Sequence, residues 1–176
     1  MNGRWIWLSV LIAAAVVAVV VYAYLPSGSG ANGPAALAGK PAPSFVVVND
    51  AGHPAALGDY RGKIVVLNLW ASWCPPCRAE MPDLDRLYRT YAKRGVVVVG
   101  VDQGESLDRA RAFANSLGIS YPVLVDDAQQ YGRVYAALGL PTTIVIDRAG
   151  NVKQGYDGIL TYAQMQAAIA PLVAAP

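Results

Sequence analysis

The chain predicts an α/β fold, a mixed sheet flanked by helices, and three observations in its 176 residues carry that prediction. Ile64-Val65-Val66-Leu67-Asn68-Leu69-Trp70 is an almost unbroken apolar run, as a central strand needs when helices cover both its sides. Behind it, Met81, Leu84, Leu87, Tyr88 and Tyr91 recur at helical spacing and define one face. Strand-like and helix-like segments then alternate to the end of the chain, closing with a hairpin and a helix.

The elements follow in order. Trp5 to Leu25 carries no charge, and its 21 positions span about 31 Å as a helix, one hydrocarbon core. Arg4 precedes the run and the next basic residue is Lys40, which orients the N-terminus to the cytoplasm and the remainder outside it. Residues 1–25 therefore read as a single transmembrane anchor. A cleaved signal peptide is the alternative, but its apolar region spans about 7–15 residues, and Val-Tyr-Ala-Tyr-Leu-Pro is a poor cleavage site. Residues 26–39, small and uncharged, read as a flexible linker, and 40–176 as one domain.

Within that domain Phe45 to Val48 reads as a strand, and Asn49-Asp50-Ala51-Gly52 as the turn of an N-terminal hairpin. The helix after the Ile64–Trp70 strand contains Pro82, which predicts a kink about a turn past its start. Val96 to Val101 is a second continuous strand. Ser106 to Leu117 is a helix with Ser106 as N-cap and Gly118 as stop. A short strand at Val123 to Val125 and a helix from Gln130 to Leu138, ended by Gly139, come next. Thr142 to Ile146 and Val152 to Tyr156 form a hairpin about Asp147-Arg148-Ala149-Gly150, and Thr161 to Ile169 closes the chain. This is the order of a thioredoxin-like fold with an N-terminal hairpin extension and a central insertion.

Chemistry concentrates at Trp73-Cys74-Pro75-Pro76-Cys77, which holds both cysteines of the chain. Two thiols two residues apart, where a buried strand turns into a helix, are placed to share one reversible disulfide. The helix start favours a thiolate there, so Cys74 is expected to lie exposed and attack, and Cys77 to lie further in and resolve. A structural disulfide is disfavoured because so short a loop stabilises little. Zinc wants about four ligands, and only Cys74, Cys77 and the single His53 are soft enough, so no metal is expected. A net charge of +2 without a basic cluster argues against nucleic acid. Cysteines confined to one motif suit a compartment where disulfides persist.

The Gly39-Lys40-Pro41-Ala42-Pro43-Ser44-Phe45 segment, the run from Gly62 through the Cys pair to Met81-Pro82, and Leu138-Gly139-Leu140-Pro141-Thr142-Thr143 together resemble the TlpA/ResA-type proteins. These are membrane-anchored, extracytoplasmic thiol–disulfide oxidoreductases related to thioredoxin. The resemblance implies that Cys74 is the exposed nucleophile and Cys77 its buried partner. It implies that Pro141 is a cis-proline packed against the pair, and that the Leu140 backbone borders the substrate groove, with Trp73 and Pro76 shaping the site. Glu80 matches a family acid near the thiols. It shares a helix face with Cys77, so a partly buried carboxyl there could relay the proton that Cys77 exchanges.

Asn68 stands where thioredoxin has a buried aspartate, which moves the proton-shuttling role toward Glu80 and leaves Asn68 a hydrogen-bonded core group. Trp70 is expected to shape and cover the site. His53 reads as a surface residue, and Asp102 and Glu105 as groove rim. Ala71 replaces the threonine that peroxiredoxins place three residues before their reactive cysteine, which argues against peroxidase activity. The implied function is disulfide exchange with extracytoplasmic proteins, apocytochrome c among them, as a reductant recharged by a membrane thiol–disulfide donor. No cofactor beyond the Cys74–Cys77 couple is implied. An oxidant that installs disulfides is the same-class alternative; a metal-delivery module is the other, and would want more His or Met near the pair.

Overall fold

The computed structural model describes residues 33–175. The anchor expected over 1–25, and linker residues 26–32, lie outside them. Among the described residues no helix is long and apolar enough to cross a membrane.

Seven strands form one sheet: β1 (Val46–Asn49), β2 (Pro54–Ala56), β3 (Ile64–Trp70), β4 (Val96–Gln103), β5 (Val123–Asp126), β6 (Thr142–Ile146) and β7 (Val152–Asp157). Their spatial order is β2-β1-β5-β4-β3-β6-β7. The α-helices among the described residues are α1 (Pro75–Tyr91), α2 (Leu107–Ser116), α3 (Gln130–Val134) and α4 (Tyr162–Ala174). Crossovers through α1 and α2 make β3, β4 and β5 parallel, while the hairpins add antiparallel strands at both edges. The fold is thioredoxin-like, with β1–β2 as the N-terminal hairpin and α2–β5 as the insertion between β4 and α3.

Alternation along the two central strands creates two cores. Ile64, Val66 and Trp70 of β3, with Val96 and Val98 of β4, face Met81, Leu84 and Leu87 of α1 and Met165 and Ile169 of α4. Val65, Leu67, Leu69, Val97, Val99 and Val101 face Tyr131, Tyr135 and the N-terminal segment. Both central strands are buried on both faces, so their apolar runs are near-continuous. Gly100 interrupts the β4 run because a Cβ there would meet Tyr121 at 2.9 Å and the Trp70 indole at 3.0 Å.

The structure corrects three expectations about the elements. The helix expected over 130–138 ends at Val134: the Ala136 N–H bonds Arg133 O and the Ala137 N–H bonds Gly132 O, with Ala136 at φ 51°. This left-handed closure without a glycine turns the chain toward Pro141 before Gly139 is reached. Residues 33–39, expected within the flexible linker, are folded: Pro34–Leu37 is a 3-10 helix, and Gly39 N–H and Lys40 O bond Val152. Pro34 is buried against Gly155, where a Cβ would stand 2.7 Å from the proline Cβ. The closing helix, expected to end at Ile169, runs through Pro171 to Ala174, and Thr161 and Gln164 cap its start reciprocally. Ser106 occupies the N-cap of α2 but makes no side-chain cap bond. Helix α1 continues through Pro82 to Tyr91.

Candidate active site

Cys74 is the N-cap of α1, and Pro75 and Pro76 fill the first two helical positions. Prolines are tolerated there because those N–H groups have no intrahelical partner anyway. The remaining donor of that turn, the Cys77 N–H, points at Cys74 Sγ at 3.2 Å, while the Arg78 N–H bonds Cys74 O. Cys74 and Cys77 are joined as a disulfide, with Cα atoms 5.3 Å apart. Cys77 is fully covered, and Cys74, expected exposed, is only 3 % accessible. The bond to Cys77 draws its sulfur into the core cluster that α1 shares with β3. Trp73 and Pro76 are exposed beside it, Trp73 by 61 %.

The Leu140–Pro141 peptide is cis. Pro141 is buried and its carbonyl accepts the Gly158 N–H, whereas the Leu140 N–H and C=O have no hydrogen-bond partner among the described residues. Trp73, Gln103, Arg133, Leu138 and Leu140 line an open groove of about 560 Å³. Leu138 is 71 % exposed there, and Ile159, in the loop that follows β7, is also exposed.

Glu80, one turn beyond Cys77 on α1, is buried. Its Oε1 accepts the Leu160 N–H at 2.7 Å and its Oε2 accepts Asn68 Nδ2 at 3.0 Å. Asn68 Nδ2 also donates to Thr143 Oγ1 at 3.0 Å, which makes Asn68 the hydrogen-bonded core group expected of it. Burial pushes the Glu80 carboxyl up to about 7, against the opposing pull of those two hydrogen bonds. Leu160 and Thr143 come from the chain's last third, and no spacing in the sequence pointed to either.

Asp102 and Glu105, expected at the groove rim, are buried instead. Asp102 lies at the covered end of β4, paired in register with Trp70, and Glu105 turns inward to hold the loop before the cysteines. Glu105 Oε2 accepts the Ser72 N–H at 2.5 Å, and its Oε1 accepts the Ser72 hydroxyl at 2.7 Å. Arg109 pairs with the same carboxylate at 2.6 Å. Sequence reasoning missed this clamp, since 33 residues separate Ser72 from Glu105. Trp70 is fully buried and stacked on Phe113 at 5.5 Å, so it forms the site's floor. His53 is exposed in the β1–β2 turn.

Residues 38–154 match the model of the AhpC/TSA family. Over 123 residues the chain is 42 % identical to the thiol-disulfide oxidoreductase ResA of Geobacillus kaustophilus, covering 70 % of this chain and 71 % of that protein. The ResA of Halalkalibacterium halodurans is 33 % identical over 157 residues, 89 % of this chain and 88 % of that protein. Among solved structures, a thiol:disulfide interchange protein of the thioredoxin family from Chlorobium tepidum superposes with a TM-score of 0.67 at 33 % identity. It covers 76 % of this chain and 95 % of its own.

Proposed function

The chain belongs to the AhpC/TSA family and is a thiol–disulfide oxidoreductase, and from that premise we propose that it acts outside the cytosol as a reductant of protein disulfides. In this reading the Cys74 thiolate attacks one sulfur of a partner disulfide. The other partner sulfur leaves as a thiolate and takes up a proton. The Cys77 thiolate then attacks Cys74 Sγ, releasing the second partner thiol and leaving the Cys74–Cys77 disulfide. Glu80, ionised, accepts the Cys77 proton. Leu140 offers its backbone to the partner segment beside Pro141, and Trp73 and Pro76 border the entry.

The observation that carries the direction is the pair of prolines at the start of α1. Pro76, at the second helical position, removes an N–H that would otherwise face the Cys74 thiolate, leaving the Cys77 N–H as the donor to Cys74 Sγ, and Pro75 removes a further free N–H from that helix end. A less stabilised thiolate means a less stable reduced form, hence a more reducing couple. The apolar run over 5–25 supports a membrane anchor, which would hold the domain beside a membrane dithiol donor. Apocytochrome c cysteines are the substrate that the family resemblance favours.

The test is a redox titration of the full chain against glutathione and dithiothreitol buffers. The reductant reading expects a potential near that of thioredoxin, about −270 mV; a value near about −120 mV would make the protein an oxidant.

A further inference from the structure

A second acidic cluster lies under the same loop, and the exchange steps above make no use of it. Asp102 is fully covered. Its Oδ1 accepts the Glu105 N–H at 3.0 Å, while its Oδ2 is buried with no partner. The Glu105 N–H on Asp102 Oδ1 brings the two carboxyls together as neighbours, and two acids can bond each other only with one proton between them. A proton on Asp102 lets its carboxyl donate to Glu105 and removes the charge that the unpartnered, buried Oδ2 would otherwise carry. Glu105 in turn grips both the N–H and the hydroxyl of Ser72, two residues before Cys74. Arg109 closes the cluster by donating to Ser72 Oγ at 3.0 Å.

We propose that Asp102 is a positioning residue: in its protonated form it braces Glu105, and Glu105 fixes the Ser72–Trp73 approach to Cys74. The proposal rests on the reading of Cys74 as the attacking thiol. Loss of the Asp102 proton would put two carboxylates in contact inside the protein, driving Glu105 off Ser72 and loosening the loop. The ionisable groups that bear on Asp102 are Glu105, from the loop after β4, and Arg109, from α2. Its register partners on β3 and β5, Trp70 and Val125, do not titrate in this range. Burial first, and the Glu105 contact second, push the Asp102 carboxyl up to about 8, while Arg109 pulls the other way. Glu105 stays below the ordinary carboxylate value: burial opposes this, but hydrogen bonds from Asp102 and Ser72, and the charge of Arg109, outweigh it. The bracing state thus holds at neutral pH and is lost in mild alkali.

The experiment uses the full-length chain in detergent micelles, oxidised so that no thiol titrates. The Ser72 amide resonance is followed by NMR from pH 6 to 10. It should shift with a midpoint near 8, and in Asp102→Asn it should stay at the wild-type acid-limit position throughout. A Ser72 resonance that does not titrate, or that titrates identically in Asp102→Asn, overturns the proposal. Should Asp102→Asn fail to fold, Glu105→Gln removes the negative neighbour and should lower the midpoint by about one unit; an unmoved midpoint overturns it equally. In the reduced chain, exchange with a model disulfide should agree between wild type and Asp102→Asn to within about twofold at pH 6. Above pH 9 the wild type should fall several-fold behind. Equal rates at every pH would reduce Asp102 to a packing residue. No exchange by either protein would tell against the proposed function, while the Ser72 titration would still decide the role of Asp102.

Discussion

The two faces of the sheet are built from the same two strands yet treat polar atoms differently. On the face covered by Tyr131 and Tyr135, nearly every buried polar group reaches a partner: the tyrosine hydroxyls do, Gln103 Oε1 accepts the Gly132 N–H and Asp126 Oδ2 the Tyr131 N–H, and Asp126 Oδ1 is the exception among the described residues. Tyr131 OH takes the Phe45 and Leu57 N–H groups and donates to Phe45 O, and Tyr135 OH donates to Pro43 O. The disulfide face carries Asn68, Glu80 and Asp102 beneath the cysteines. Of the five buried side-chain atoms without partners among the described residues, Asn68 Oδ1, Trp70 Nε1, Asp102 Oδ2 and Tyr121 OH lie on it; Asp126 Oδ1 does not. An unpartnered buried polar group costs about 1–3 kcal/mol, so the quiet face stabilises the domain and the other tolerates a deficit. Groups held out of water without full satisfaction are those whose protonation is easily moved.

The comparison breaks most visibly at the cysteines. Cys77→Ala should leave Cys74 able to attack but unable to release its partner, so turnover falls by about 10³-fold or more and a mixed disulfide accumulates. Non-reducing electrophoresis of cells expressing the variant would display it. A variant that still turns over, or a reduced wild type in which Cys77 alkylates before Cys74, would reverse the assigned roles.

Glu80→Gln tests the tolerated deficit on the same face. The folded domain holds the Glu80 proton up to about 7, the unfolded chain only to 4.5. The group's contribution to stability is therefore complete below the unfolded value and declines as pH rises through the folded one. Above pH 7 the penalty of ionising it is worth about 3 kcal/mol, which a glutamine avoids. Asn68 can turn its amide so that the orphaned Oδ1 accepts from the new NH2 group. Denaturation of the oxidised protein at pH 5 and pH 8 should show wild type losing stability with pH and the variant holding level. Exchange should nevertheless slow by about tenfold or more above pH 7, because the glutamine cannot take the Cys77 proton as the ionised carboxylate does. A variant as pH-sensitive as wild type would assign the slope to another group.

Tyr131→Phe asks the complementary question on the quiet face. Removing the hydroxyl leaves two N–H groups and one carbonyl without a partner, a loss of about 2 kcal/mol. Exchange at pH 7 should be unchanged, since the Tyr131 hydroxyl bonds only Phe45 and Leu57, neither of which lines the groove. A rate change comparable to that of Glu80→Gln would erase the distinction between the faces.

How much of this was legible in the sequence depended on how local the signal was. β3 and β4 announced themselves because strands buried on both faces must be apolar throughout, and the Cys pair because strand, turn and helix are contiguous. Glu80 was legible through its spacing from Cys77, and Leu140–Pro141 through family resemblance. The Ser72–Glu105–Asp102 cluster was not, because tertiary packing alone joins its parts. The end of α3 misled for a different reason: the residue that takes the left-handed closure is Ala136, and the stop signal sits three residues later at Gly139. Pro34 misled because small, uncharged residues resemble a linker whether or not a glycine such as Gly155 offers them a seat.

The smallest expected effect separates dipole from packing at the start of α1. Pro76→Ala restores one N–H at the second helical position and alters little else, since Pro76 is exposed and α1 is already nucleated. That N–H would face the Cys74 sulfur alongside the Cys77 N–H, adding a donor that the thiolate uses and the disulfide hardly does. One such interaction at a helix N-terminus is worth about 0.3–1 kcal/mol. For a two-electron couple this is a shift of about 6–20 mV toward a more oxidising potential, with the Cys74 thiol pKa falling in parallel. Alanine is also the better helix former, but that preference acts on oxidised and reduced forms alike and cancels in the potential. Redox equilibration with glutathione and the pH dependence of Cys74 alkylation measure the two quantities independently. A potential that moves without the thiol pKa would mean that the proline acts through the geometry of the Cys74–Cys77 turn, and the argument for a reductant from missing donors would fall with it.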